Sequence, residues 1–175
     1  MNSNDVVIEV GARVGGGTLL LSRLVKQIYS FEPNSDSCRL LRNNTKNAKN
    51  VQIFNVALGE KEDEAILNVT KYMKYSHIGT LKKIKGVDYV AKEKVRIKKM
   101  DDFAFPLAPT AMIIDCEGYE EEVLKGAQEY LKKVKTVLVE THALPNGQSS
   151  QGVVRSLLND FETKYTDGWV IATRK

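Results

Sequence analysis

The sequence predicts an α/β fold on a doubly wound, mostly parallel sheet, with helices on both faces and an antiparallel hairpin at the C-terminal end. Three observations predict it. Val6 to Val10 is an apolar, β-branched run that includes one acid, Glu9, and it passes through a glycine-rich loop (Gly11, Gly15, Gly16, Gly17) into an apolar stretch. Strand-like and helix-like segments then alternate, which implies parallel strands joined by right-handed crossovers. Near the end, Thr166-Asp167-Gly168 separates two short β-prone runs, a hairpin signal.

The elements follow in order. Thr18 to Gln27 predicts a first helix with its leucine-rich face toward the sheet. Ile28 to Phe31 predicts a strand that stops at Glu32-Pro33, because proline brings no ladder donor and holds its predecessor extended. Asn34 or Ser35 caps a helix carrying Cys38, Leu40 and Leu41 and ending near Asn47. Val51 to Leu58 reads as one third strand. The rhythm then changes. Glu64 to Thr70 and Val95 to Met100 read as strands around a polar segment with Tyr72, Tyr75, His77, Gly79, Gly86 and Tyr89 and no helical period. That segment is either a mobile loop over a pocket or a surface excursion. The chain 1–175 is expected to be a single domain with a substrate-side insertion at about 63–103. Ala111 to Cys116 predicts a buried strand ending in acids. Glu120 to Lys132 predicts a helix, since Val123, Leu124, Ala127 and Leu131 recur at three- and four-residue steps. Val134 to Glu140 is a strand leading to Thr141-His142, Gln151 to Asn159 the last helix, and Phe161 to Tyr165 with Trp169 to Thr173 the hairpin.

Bulk properties narrow the function. With 175 residues, 42% hydrophobic and 27% charged, the chain is long enough for one ordinary core. A net charge of +4, with lysines spread among acids, describes a solvated surface more than a nucleic-acid footprint. The densest basic stretch runs from Lys82, Lys83 and Lys85 through Lys92, Lys94, Arg96, Lys98 and Lys99, and it suits steering of an anionic substrate. Cys38 and Cys116 form no framework and are expected to be reduced, structural thiols. No apolar run approaches the length of a membrane helix, and Met1-Asn2-Ser3-Asn4 is no signal peptide, so a soluble, cytoplasmic protein without membrane attachment is expected.

The glycine loop carries the first chemical signal. A dinucleotide fingerprint needs a second glycine two places after the first, where a pyrophosphate approaches the backbone. Arg13 stands there. Glu9-x-Gly11-x-x-x-Gly15 instead suits S-adenosylmethionine, which has no phosphate to cradle. Taken together, VVIEVGARVGGGT, SFEPNSDSCRLLRNN, NVALGE, MIIDCEGYEEEVLKGA and VLVETH, from Val6 to His142, resemble the FkbM family of class I S-adenosylmethionine-dependent methyltransferases. The resemblance implies a Rossmann-like class I methyltransferase sheet and methyl transfer from S-adenosyl-L-methionine. Two departures accompany it. Arg13 replaces the family's usual asparagine, and the chain begins almost at its first strand, without the N-terminal helices such enzymes commonly place over cofactor and substrate.

In this frame Glu32, 21 residues beyond Gly11, is expected to accept hydrogen bonds from the ribose hydroxyls. Pro33 offers one wall to the adenine, and Val56 and Ala57 the other. Glu9 orients the loop and faces the ligand's positive end, while Gly11, Ala12 and Gly15 let the methionine portion approach the backbone, with helix N-terminal amides on its carboxylate. Arg13 either pairs with that carboxylate or points to solvent. Asp115, Glu117 and His142 come from adjacent strand ends at the acceptor side. Asp115 or His142 is expected to be the base, with Glu117 orienting the acceptor, contacting the cofactor or capping the following helix. An Asp/Glu/His cluster also suits a divalent metal, but no close ligand motif demands one and metal-free chemistry is the default. Asp115-Cys116-Glu117-Gly118 replaces the Asn/Asp-Pro-Pro-aromatic motif of base-amine methylation, which favours a hydroxyl acceptor on a sugar or small metabolite. Two rivals remain: a catalytically incomplete cofactor-binding module that needs a partner chain, and a nicotinamide-dependent oxidoreductase. Homo-oligomerisation is left open.

Overall fold

The fold comes from a computed structural model that describes residues 1–70, 77–78, 89–142 and 148–175. The central sheet has seven strands in the order β10-β11-β9-β8-β1-β2-β3. These are β1 (Val6–Val10), β2 (Gln27–Phe31), β3 (Val51–Phe54), β8 (Ala111–Ile114), β9 (Thr136–Glu140), β10 (Phe161–Thr166) and β11 (Trp169–Arg174). β1, β2, β3, β8 and β9 are parallel. β11 runs antiparallel to both β9 and β10 and forms the terminal hairpin. The expected doubly wound sheet with an antiparallel end is therefore what forms.

β1 is central and buried on both faces, which is why it reads as a continuous apolar run. Its side chains alternate. Val6, Ile8 and Val10 join the larger core with Phe31, Met112, Ile114, Leu124 and Val139, while Val7 packs with Val25, Ile28 and Ala111 on the other face. The chain winds from β1 toward β3 in one direction and from β8 toward β9 in the other. The boundary between β1 and β8 is thus the topological switch point, beyond whose carboxyl ends ligands of open α/β sheets bind.

Several expectations are corrected. The first helix, α1, spans only Gly16–Leu21, and its buried residue is Thr18. Leu20 and Leu24 are 61% and 54% exposed while Leu21 packs on the Val7 side of the sheet, so the leucine-rich face is only partly turned inward. The chain turns at Ser22–Val25 and must enter β2 at Gln27, which leaves no room for a longer helix. The second helix, α2 (Ser35–Asn44), starts as expected, with the Asn34 side chain accepting from the Ser37 amide. It ends three residues sooner than Asn47. Val51 to Leu58 is two strands rather than one: β3 ends at Phe54, and β4 (Ala57–Leu58) leaves for a second sheet. The Asn55 side chain makes the break by donating to the Glu32 and Pro33 carbonyls, both at 2.9 Å.

The second sheet has the order β4-β7-β5-β6, with β5 (Asp63–Thr70), β6 (His77–Ile78) and β7 (Tyr89–Lys98). β7 is longer at its start than the strand expected from Val95 to Met100, because it pairs antiparallel with all of β5. Met100–Asp102 is a 3-10 turn, not strand. The remainder of the expected pocket-covering segment, with Tyr72, Tyr75, Gly79, Gly86 and Lys82 to Lys85, lies outside the described residues. The helix expected over Glu120 to Lys132 is broken into α3 (Glu120–Lys125) and α4 (Gln128–Leu131). The break falls where Gly126 packs on β4's exit: a Cβ there would lie 1.9 Å from the Gly59 carbonyl oxygen. The last helix, α5 (Gln151–Leu157), is slightly shorter than expected. Among the described residues no helix is long and apolar enough to cross a membrane.

Candidate active site

A cavity of about 560 Å³, counted to its open mouth, sits beyond the carboxyl ends of β1, β2 and β8. Gly11 forms its floor at the switch point. Its φ of +85° is a left-handed conformation, and a Cβ there would lie 1.8 Å from the Asp115 carbonyl oxygen. Only glycine fits. The Gly11 and Ala12 amides both donate to the Phe31 carbonyl, which ties the loop after β1 to the end of β2.

The β2 side is built around Glu32, which is 6% exposed. Its Oε2 accepts the Arg13 amide and its Oε1 the Asn34 amide, each at 2.8 Å. Burial pushes the Glu32 carboxyl up to about 7, against the pull of those amides and the Arg13 charge. Pro33, Val56, Ala57, Phe31 and Leu67 give the cavity apolar walls around it. Asn34 and Ser35 are held in turn by Glu93 of β7, which accepts from Asn34 Nδ2 at 2.7 Å and from the Ser35 amide at 3.1 Å.

The β8 side is a network of charges. Arg13 reaches Asp115 Oδ1 at 3.2 Å and pairs closely with Glu117. Arg13 and Glu117 both have left-handed backbones, with φ of 52° and 55°. Two strained turns from different strand ends thus meet in a single ion pair, the kind of outlier that concentrates at functional sites. His142 lies beside them after β9. Its Nδ1 is 2.7 Å from Glu120 Oε1, and its Nε2 is 3.4 Å from Glu117 Oε2 and 3.9 Å from Asp115 Oδ1. Burial alone draws the imidazole down, but the Glu120 hydrogen bond and the charges of Glu120, Glu117 and Asp115 outweigh it and leave His142 above its ordinary value. Glu140 is raised by burial and by sharing a hydrogen bond with Asp115. Asp115, Glu140 and His142 place ligand atoms within 4.8 Å of one another, a donor set a divalent cation accepts.

Of the residues expected from sequence, Gly11, Arg13, Glu32, Pro33, Val56, Ala57, Asp115 and Glu117 line the cavity, and His142 touches its acidic edge. Glu9, Ala12 and Gly15 do not line it. Glu9 lies on the face toward α1, where its Oε2 accepts from Thr18 at 2.6 Å and Ser30 at 2.8 Å. Burial raises its pKa although both hydroxyls oppose that. Gly15 seats the start of α1 on α2, since a Cβ would meet Leu41 Cδ1 at 2.5 Å. The N-cap of α3 is Tyr119, which makes no side-chain capping hydrogen bond, and Glu117 pairs with Arg13. The Gly118 amide donates to Glu120 Oε1 at 2.8 Å. Sequence reasoning missed Ser37, Leu67 and Tyr119 in the lining. It also missed Glu120, which is 1% exposed.

The methyltransferase FkbM domain family matches residues 9–165. The chain is 29% identical over 148 residues to the hexuronic acid methyltransferase AglP of Haloferax volcanii, covering 80% of this chain and 57% of that protein. The methyltransferase FkbM of Methylobacillus flagellatus has a similar fold (TM-score 0.67, 16% identity), covering 98% of this chain and 44% of that one. So does the magnesium protoporphyrin IX methyltransferase of Synechocystis with bound SAM, with a TM-score of 0.59 and 10% identity over 99% of this chain and 71% of that one. The chain thus spans about half the length of the first two proteins. With the family's own model covering nearly all of it, from the acid of β1 to the terminal hairpin, this chain belongs to the FkbM methyltransferase domain family.

Proposed function

We propose that this domain binds S-adenosyl-L-methionine and methylates a hydroxyl of a sugar or another small metabolite. The observation that carries the reading is the placement of Glu32. Each of its oxygens accepts one amide, and a carboxylate oxygen has a second lone pair. Two acceptor positions therefore remain for the paired hydroxyls of a ribose. Pro33 with Val56 and Ala57 would hold the adenine between apolar surfaces. Gly11 keeps the loop close to the ligand, and Arg13 would serve a ligand carboxylate while balancing Asp115 and Glu117.

When bound, the cofactor supplies a methyl group on a sulfonium, whose carbon–sulfur bonding pair leaves with sulfur. This chain's residues then position the acceptor in line, a large part of the acceleration, and remove its proton. His142 and Asp115 are the candidates for that removal, with Glu117 beside them to orient the hydroxyl, a reading supported by their closeness at the cavity edge. The substrate-side role of 63–103 fits Leu67 of β5 standing in the cavity wall. The Haloferax relative's hexuronic acid supports a saccharide acceptor.

Titration calorimetry with S-adenosylmethionine, S-adenosylhomocysteine and NADH, side by side, tests the reading. Binding of the first two without NADH is expected. NADH binding alone would overturn it. Cofactor binding with no turnover on any saccharide, restored by a second chain, would favour the incomplete-module alternative.

A further inference from the structure

Glu120 is buried at the first position of α3 and absent from the cavity lining, and none of the roles above uses it. Its Oε1 accepts the Gly118 amide at 2.8 Å and faces His142 Nδ1 at 2.7 Å. The main chain of His142 is fixed as well. Its amide donates to Ser150 Oγ at 3.0 Å, and its carbonyl accepts the Ser150 amide at 2.9 Å. With backbone and Nδ1 both held, the ring has one orientation, in which Nε2 points toward Asp115 and Glu117 at the cavity edge.

An ionised carboxylate only accepts hydrogen bonds, so the proton between Glu120 and His142 belongs to Nδ1. In the neutral ring the basic lone pair is then on Nε2. We propose that Glu120 is a positioning residue that locks His142 in the Nδ1–H tautomer and so makes Nε2 the base for the acceptor hydroxyl. This rests on the methyl-transfer reading above and decides the choice that reading leaves open. Asp115 is the weaker candidate because its Oδ1 is already engaged by the Arg13 guanidinium at 3.2 Å. As the acceptor oxygen bonds to the methyl carbon and the carbon–sulfur pair stays with sulfur, the hydroxyl proton passes to Nε2. Glu120 then faces an imidazolium, which it stabilises until the proton leaves to water. Among the described residues, the charged groups around this ring are Glu120 on α3, Asp115 and Glu117 after β8, Glu140 on β9, and Arg13 through its pairs with Asp115 and Glu117.

The test needs no acceptor. The chain has two histidines, and His77→Gln leaves His142 as the single imidazole for nitrogen-15 NMR of the whole chain. The neutral ring should show a protonated Nδ1 and a bare Nε2. Glu120→Ala should return it to the Nε2–H form that free imidazole side chains prefer. Glu120→Gln, which keeps a carbonyl acceptor, should hold the Nδ1–H tautomer while the titration midpoint moves to lower pH. All these variants should bind S-adenosylmethionine like the parent. An Nε2–H ring in the parent, an unchanged tautomer in Glu120→Ala, or broadening of Nε2 by stoichiometric Mn²⁺ at micromolar levels would each overturn the assignment. The last would make His142 a metal ligand. Failure of the parent to bind S-adenosylmethionine is a separate result and overturns the underlying function. With a working acceptor, Glu120→Ala should lower kcat with little change in the acceptor KM, and Glu120→Gln should restore part of it.

Discussion

The two ends of the cavity are held together differently. At the β2 end a single carboxylate, Glu32, is fixed by two main-chain amides within a few residues of strand ends. At the β8 end side chains hold side chains. Arg13 spans 102 and 104 positions to reach Asp115 and Glu117, and Glu120 reaches 22 positions to His142. The first end needs only the loop after β1 to meet the turn after β2, with Arg13 reaching Glu32 across 19 positions and Asn34 across two. The second exists only once the loops after β1, β8 and β9 have converged. Main-chain anchoring suits a ligand part that is always the same, and a side-chain network can be retuned residue by residue for different acceptors.

Gly11 is where the two ends meet, so Gly11→Ala should break both. Its Cβ would overlap the Asp115 carbonyl, in a conformation alanine already resists. A loss of about 4 kcal/mol or more is expected in denaturant titration, and a loss near 1 kcal/mol would mean the ends are not rigidly joined. His142→Ala should separate them. Turnover should fall by roughly 100- to 10,000-fold, the usual range for a general base, while calorimetry shows cofactor affinity unchanged. Glu32→Ala should act the other way, weakening cofactor binding about 100-fold if two charge-assisted hydrogen bonds are lost. Unchanged affinity would remove the ribose role.

A further effect concerns pH. The folded Glu32 carboxyl, near 7, lies above its ordinary 4.5, so the folded chain binds this proton more tightly than the unfolded one. Its stabilising contribution is complete below about 4.5 and is lost as pH rises through 7, on the order of 3 kcal/mol. Glu32→Gln removes the titration. The stability of the parent relative to Glu32→Gln should therefore fall between pH 5 and pH 8. Cofactor binding to the parent should tighten over the same range, since ribose donors favour the ionised form.

The same contrast explains what was legible in the sequence. β1, the glycine loop and Glu32 could be read directly, because strand period, proline and glycine act over a few residues. The break between β3 and β4 could not. It depends on the Asn55 side chain reaching the carbonyls of Glu32 and Pro33, a contact with no local signal. The first helix was read too long because its leucines suggested an inward face that Ser22–Val25 does not continue. In the sequence Glu120 is the first of three successive acids, Glu120-Glu121-Glu122, that open the predicted helix, and nothing local sets it apart from the other two. It is buried, and only its partner His142, two residues after β9, reveals why an acid is needed there. Asp115 and His142 were recognised as neighbours because strand ends of a doubly wound sheet converge. Which nitrogen faces which carboxylate required coordinates.

The hold of Glu93 on Asn34 and Ser35 has a thermodynamic consequence. That carboxylate belongs to β7 in the second sheet, yet it fixes the turn whose Asn34 amide holds Glu32. A ligand that requires this turn in its observed shape also favours β7 in its observed place. Linkage makes the effect mutual: whatever free energy cofactor binding contributes to ordering the second sheet, an acceptor that orders the second sheet returns to cofactor affinity.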